Sequence, residues 1–312
     1  MTSPAATPRP HRAKLASTAL GLLLALLAGA FVGRTLLRDR EAIADALSGA
    51  SPGWLGLGVA LAIVGMTAIA VPWRHAIRVL GDDLPMGQVI ARYYVGEIGK
   101  YLPGGVWPIL GRGELARRWG VRRPAAYGSV ALSLATLYLA GMAVVVAGLP
   151  SLLDGEDGSG PVAVLVLLPL GLLALHPAFL RRGLALVERI AHRPVELSLP
   201  SWGTSAALVL RYVPAWLAIG GATWAVARAL DPHAPLLEVA VAAVLSWVVG
   251  FVLVPVPGGV GVREAAFVAA ASSLEPGIAA AVAVAARAAF VLVDGGGALL
   301  GSLALRRSAR DG

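Results

Sequence analysis

The chain contains no cysteine, which excludes a disulfide, a thiolate nucleophile and a zinc–thiolate centre. Lysine is almost missing as well: it occurs only as Lys14 and Lys100, and arginine carries nearly all the positive charge. Charged residues make up 14% of the chain, against about 25% in a typical soluble domain. The five histidines, His11, His75, His176, His192 and His233, are scattered with no metal-ligand spacing, and no Ser/His/Asp order points to a nucleophile. Two glycine motifs also fail. Gly96 to Lys100 has the wrong spacing for a P-loop and is followed by Tyr101 where a Ser or Thr is needed, while Gly259 to Glu264 lacks the third glycine of a dinucleotide fingerprint. These gaps leave no expected metal, no expected cofactor and no expected enzymatic chemistry.

What the chain has in abundance is apolar sequence. Hydrophobic residues account for 57% of its 312 residues, the mean hydropathy is +0.76, and several runs exceed the roughly 20 residues that cross a hydrocarbon core. The composition specifies an all-α, polytopic membrane helix bundle. The net charge of +8 does not imply nucleic acid, because the arginines sit in short loops between apolar runs, as the positive-inside bias alone produces. Plentiful alanine and glycine with arginine in place of lysine fit a GC-rich bacterial genome, and so a bacterial plasma membrane.

Residues 1–14 read as a disordered cytoplasmic tail, residues 15–307 as one membrane domain, and residues 308–312 as a second cytoplasmic tail. The expected full spans number about six: Ala16 to Leu37 (an uncleaved anchor), Trp54 to Val71, Ala125 to Leu149, Pro161 to Leu180, Thr204 to Leu230 and Gly277 to Leu305. The connector through Arg189 and Arg193 is a candidate interfacial helix. Basic clusters at Arg74 and Arg78, Arg117 and Arg118, Arg122 and Arg123, Arg181 and Arg182, and Arg306 and Arg307 mark cytoplasmic ends and place both termini inside.

Two stretches break this pattern. From Arg92 to Glu114 the chain carries five charges, two prolines and a run of glycines. Pro103-Gly104-Gly105 interrupts its helix, and broken backbone survives at membrane depth only when protein or a water-filled cavity surrounds it. Both ends of the segment at about 86–118 are basic, and its arms are too short to cross and return. A re-entrant hairpin open to the cytoplasm fits best. A second break, Pro255, Pro257, Gly258, Gly259 and Gly261, divides a segment at about 236–275. It is read as an oppositely oriented hairpin, with a full-span turn as the alternative because its arms are near 19 residues long. Paired hydrophobic segments interrupted by Gly and Pro in corresponding halves are the pattern of inverted-repeat transporters.

Nine charges lie inside or near the membrane: Glu97, Lys100, Arg112, Glu114, Arg211, Arg263, Glu264, Arg287 and Asp294. Five are positive and four negative, so internal pairing is one explanation and a headgroup-binding path is the other. Tyr93, Glu97 and Tyr101 share a helical face at i,i+4, Glu97 and Lys100 are neighbours at i,i+3, and Arg287 and Asp294, seven apart, also share a face.

Gly99 to Trp107 followed by Arg112, and Pro255 to Ala265, resemble the two signatures of the lysylphosphatidylglycerol synthase transmembrane-region family, the flippase-like integral membrane proteins. The resemblance covers nearly the whole chain and implies movement of an anionic or aminoacylated phospholipid, or a related lipid-linked compound, between leaflets. Bifunctional members carry a soluble aminoacyl-transferase domain after the bundle; with only seven residues after Leu305, the resemblance here implies a stand-alone module. Membrane lipids are the expected partners, with a lipid or cell-envelope biosynthetic enzyme and a homo-oligomer as further ones. The rival functions are a membrane partner for such an enzyme and an ion-coupled small-solute transporter.

Overall fold

The computed structural model describes residues 48–101, 107–153, 162–192, 194–252, 259 and 261–308, together with the isolated positions 37, 41 and 44. The expected first span, the tip Pro103-Gly104-Gly105, and Pro255, Pro257 and Gly258 lie outside the described residues. Within them the chain is helical and has no strand. In order, the helices are α1 (Pro52–Val79), α2 (Met86–Glu97), a 3-10 turn (Ile98–Tyr101), α3 (Trp107–Arg117), α4 (Arg123–Gly148), the short α5 (Pro150–Leu153), α6 (Val162–Ala174), α7 (Pro177–Ala191), α8 (Trp202–Leu230), α9 (Leu236–Val252), α10 (Val262–Ala270) and α11 (Pro276–Ser308).

Among the described residues four helices are long and apolar enough to cross a membrane: Pro52–Val79, Arg123–Gly148, Trp202–Leu230 and Pro276–Arg307. The expected crossing from Pro161 to Leu180 is not one helix. It stops at Ala174, and a separate helix starts at Pro177. The cause is local, because a residue before proline is pushed out of the α region. His176 accordingly sits at φ −64° and ψ 138° and caps α7 by accepting the Ala178 N–H.

Helix α8 is the centre of the bundle, packing against α1, α4, α9 and α11. Between helices in lipid the driving force is close packing, so the contacts are made where glycine removes a side chain. A Cβ on Gly65 of α1 would lie 2.9 Å from Ile219 Cγ1, and one on Gly220 of α8 would lie 2.9 Å from the Ala240 carbonyl oxygen on α9. Large residues then fill the space and satisfy their polar ends internally, as lipid requires. The Trp216 Nε1–H donates to the Leu137 carbonyl at 2.7 Å, the Trp73 Nε1–H to Ser129 Oγ at 3.2 Å, and Tyr212 shares a 2.6 Å hydrogen bond with Ser133. The outward faces are the greasy ones: Leu210, Leu217, Leu292 and Leu300 are all exposed.

The two broken segments pack into this frame as short paired helices. α2 lies against α3, and α9 against α10. With twelve, eleven and nine residues, α2, α3 and α10 are about 18, 16 and 14 Å long, well short of a hydrocarbon core of roughly 30 Å. The second arm of the second segment is therefore a nine-residue helix, half the length expected from the apolar pattern, because the chain turns at Ala271 before Pro276 begins α11.

Candidate functional site

Each paired segment contains the same small device. In the first, Tyr93 precedes Gly96 by three residues on α2, and Arg112 of α3 crosses over both. A Cβ on Gly96 would fall 2.4 Å from Arg112 Cγ, and the guanidinium lies 5.6 Å from the Tyr93 ring centroid. In the second, Trp247 precedes Gly250 by three residues on α9, and Arg263 of α10 crosses over both. A Cβ on Gly250 would fall 2.3 Å from Arg263 Cγ, and the guanidinium stacks 3.6 Å from the Trp247 centroid. An aromatic ring and a bare glycine one helical turn apart form a groove in which an arginine stem is laid flat, with its charge held over the ring. Gly259 deepens the second groove: it has φ +65°, and a Cβ there would meet Arg263 Cγ and Cδ at 2.9 Å. Gly261, at φ +79°, starts α10 with its N–H donating to Glu264 Oε2 at 2.6 Å.

A chain of charges joins the two devices through α11. Lys100 Nζ lies 2.6 Å from Asp294 Oδ2 and 3.5 Å from Glu97 Oε2. The Tyr101 hydroxyl donates to Asp294 Oδ2 at 2.6 Å, Arg112 Nε is 3.5 Å from Glu97 Oε1, and Arg287 is paired with Glu264. Asp294 is fully buried and Arg112 is 1% exposed. Four cations (Lys100, Arg112, Arg263, Arg287) face three carboxylates (Glu97, Glu264, Asp294), which leaves one positive charge in excess. The excess is localised. Neither terminal nitrogen of Arg112 nor Nε of Arg263 has a hydrogen-bond partner among the described residues, and Arg263 makes no ion pair there. Buried donors of this kind carry a penalty of about 1–3 kcal/mol each unless water or a ligand satisfies them.

Both arginines open onto one cavity. Its volume is about 140 Å³, and Tyr93, Glu97, Lys100, Tyr138, Trp216 and Trp247 help to line it. That is close to the engineered cavity of roughly 150 Å³ that admits a benzene ring, and is large enough for a phosphate-sized group. The rest of the wall is mostly apolar, part aliphatic and part aromatic, so the charged contacts are confined to the Lys100, Arg112, Arg263 and Glu97 side.

The family model described as Lysylphosphatidylglycerol synthase TM region matches residues 18–296. The chain belongs to that family. No curated protein matches it. Membership, together with the apolar spanning helices, makes this a membrane protein of the group that forms the membrane region of lysylphosphatidylglycerol synthase-like proteins, and suggests a membrane-lipid-related role. The match runs from before α1 to Gly296 on α11, so it contains both paired segments and every residue of the charged chain.

Of the nine charges singled out from the sequence, seven come together: Glu97, Lys100, Arg112, Arg263, Glu264, Arg287 and Asp294. Two do not. Glu114 points to the outer end of α3, where it is bound by Arg117 at 2.7 Å and Arg118 at 3.0 Å. Arg211 is exposed on α8 and lines no part of the cavity. The expected Tyr93–Glu97–Tyr101 stripe is also interrupted. The α-helix ends at Glu97, and the tighter 3-10 turn rotates Tyr101 away to reach Asp294. Trp247 and Tyr138 escape a reading of the sequence, because nothing in their apolar surroundings distinguishes them from core residues. Arg92, also buried, locks α2 to α3 instead of joining the cluster. Its Nε–H donates to the Leu115 carbonyl at 3.2 Å, and its guanidinium stacks on Trp119 at 4.3 Å.

Proposed function

We propose that the protein is a translocase, flippase-like, for an anionic or aminoacylated phospholipid or a related lipid-linked compound. One observation carries this reading. Two similar glycine–aromatic grooves, one per broken segment, each lay an arginine against the same cavity, Arg112 buried with both terminal nitrogens unsatisfied and Arg263 half-buried with Nε unsatisfied among the described residues. A headgroup phosphate would supply the missing acceptors and balance the single excess positive charge, through charge-assisted hydrogen bonds. The aromatic part of the wall would shield it from the surrounding hydrocarbon. Substrate sites between repeated, broken helices are the arrangement by which transporters alternate access, one repeat rocking against the other. On this reading the seven clustered charges bind or balance the headgroup. Glu114 and Arg211 belong to the cytoplasmic rim.

The orientation follows from the arginine distribution. The basic ends put both termini in the cytoplasm of a bacterial cell, with the first hairpin open to the cytoplasm and the second to the outside. No transferase chemistry is assigned to the cluster, whose carboxylates are engaged by lysine, arginine or backbone N–H.

The test is a scrambling assay in vesicles with a reporter phospholipid, comparing the protein with Arg112→Gln, Arg263→Gln and the double substitution. Flipping is expected to fall at least tenfold for each single variant, in protein that keeps its gel-filtration profile and melting temperature. Undiminished flipping in the folded double variant overturns the assignment. A second reading, ion-coupled transport on the same site, is favoured by Asp294, which is fully buried with Oδ1 lacking a hydrogen-bond partner among the described residues. It requires transport to follow an imposed pH gradient and Asp294→Asn to abolish that dependence.

A further inference from the structure

The connector between α6 and α8 is built to lie on a surface. Helix α7 has fifteen residues, and helical geometry puts Phe179, Leu180, Leu184 and Leu186 on one side and Arg181, Arg182, Glu188 and Arg189 on the other. The bundle covers it only in part: within the described residues it packs against the end of α6, Leu180 and Leu184 are half-buried, and Phe179 and Leu186 remain 42% and 57% exposed. A soluble helix with that apolar stripe would bury all of it against a core.

Its position is set at both ends. The Trp202 Nε1–H, at the start of α8, donates to the Leu172 carbonyl near the end of α6 at 3.1 Å. The chain thus leaves and re-enters the bundle at one level, and Trp202, 51% exposed, sits there as an interfacial anchor does. After the helix, the Val195 N–H donates to Glu188 Oε1 at 3.0 Å, and Leu197 packs beside Leu80 over Gly128 at the base of α4. The connector is pinned along the rim of the bundle.

The charges on this helix lack the carboxylate partners that hold several others at the same end, as do the exposed Arg123, Arg211, Arg306 and Arg307 among the described residues. Arg74 and Arg78 are held by Asp83, Arg117 and Arg118 by Glu114, and Arg122 by Asp82. Arg181, Arg182 and Arg189 are exposed and make no ion pair among the described residues; Arg182 instead lies 5.4 Å over the Phe179 ring. Three solvent-facing guanidiniums without carboxylates, on the polar side of a strongly amphipathic helix, call for an anionic partner. So does the geometry, since a helix at the rim with part of its apolar side open meets the acyl boundary of the bilayer first.

We infer that α7 lies in the headgroup layer of an anionic leaflet, with Phe179 and Leu186 in the acyl boundary and Arg181, Arg182 and Arg189 on lipid phosphates. Each arginine near such a surface contributes about a fivefold preference for anionic over zwitterionic lipid. This holds whether or not the charged cavity transports anything.

The absence of cysteine allows a clean test in the full chain. Spin labels are placed on Leu186→Cys and Ala185→Cys, and the protein is reconstituted in phosphatidylcholine vesicles with and without phosphatidylglycerol. With phosphatidylglycerol, the label at 186 is expected to be accessible to oxygen and shielded from a water-soluble nickel chelate, and the label at 185 the reverse. In phosphatidylcholine alone the contrast is expected to shrink severalfold. Arg181→Gln, Arg182→Gln and Arg189→Gln together, which break no ion pair among the described residues, should erase the dependence on phosphatidylglycerol. Three results overturn the inference: equal nickel access at both positions in both lipids; immersion that is the same in both lipids; or shielding at 186 that persists in detergent with dipolar coupling between labels, which assigns the surface to a second copy of the chain.

Discussion

Glu264 and Arg287 provide the sharpest test of how the charged chain is held together. Their side chains are 8% and 20% exposed, and they are directly paired. Glu264 has a second duty, because its Oε2 accepts the Gly261 N–H at the start of α10. Removing only the arginine leaves a buried carboxylate with that single N–H for compensation. Breaking a buried pair in this way costs about 3–5 kcal/mol, whereas replacing both members is often close to neutral. Since Arg287 retains some solvent and Glu264 keeps one hydrogen bond, Arg287→Gln is expected at the lower end, about 3 kcal/mol. Glu264→Gln with Arg287→Gln keeps an amide oxygen for Gly261 and removes the uncompensated charge; about 1 kcal/mol is expected, so the coupling in the double-mutant cycle is at least about 2 kcal/mol in magnitude, more by whatever Glu264→Gln costs alone. The measurement is denaturant unfolding in detergent, followed by tryptophan fluorescence. If the double variant is as unstable as Arg287→Gln, or the coupling falls below about 0.5 kcal/mol, the pair does not hold α10 to α11 and the electrostatic account is wrong.

Gly96→Ala and Gly250→Ala each place a methyl group within 2.4 Å of an arginine Cγ and should displace Arg112 or Arg263, reducing lipid flipping about tenfold through an overpacking strain of about 1–3 kcal/mol. Gly56→Ala and Gly295→Ala, where nothing lies within 4 Å, are the controls and should leave flipping unchanged. Trp216→Phe removes the donor to the Leu137 carbonyl and should lower stability by about 1–3 kcal/mol, read as a drop in melting temperature. In the loop after α1, hydrogen bonding by Arg78, with the Leu84 N–H and Arg74, holds the Asp83 carboxyl down to about 2. A carboxyl depressed below its unfolded value near 3.9 contributes stability that is complete above about pH 4 and is lost as pH falls through about 2. Asp83→Asn should therefore remove that part of the acid-limb loss in a pH series of melts.

Pro177 cut an apolar run that looked continuous to Leu180, a local effect of proline on the residue before it. The tertiary structure made the decisions that local sequence could not. A 3-10 turn at Ile98 moved Tyr101 out of line with Glu97 and onto Asp294, 193 residues away. Glu114 and Arg211 look like membrane charges in sequence, yet the fold leaves one among neighbouring arginines and the other exposed. Trp247 carried no mark at all. Its role comes from Arg263, which reaches it because Gly250 and Gly259 leave no side chain in the way.

The sequence by itself determined the helical membrane bundle, because apolar runs longer than a hydrocarbon core admit no other backbone that satisfies its own hydrogen bonds. It also pointed to the two interruptions, where proline and glycine cluster beside charges and separate helices lie on either side, whereas the isolated Pro72 and Pro214 stay inside α1 and α8. The seven clustered charges were legible for a related reason: a charge in an apolar run has to be met by something. Which charge meets which was settled only in three dimensions. Pairing depends on how α2, α10 and α11 approach one another, and that approach is set by glycines whose partners lie far away in the chain. Arg92, Arg112, Arg228 and Arg263 keep unsatisfied donors among the described residues; that geometry turns Arg112 and Arg263 to the cavity, and the candidate site rests on these two.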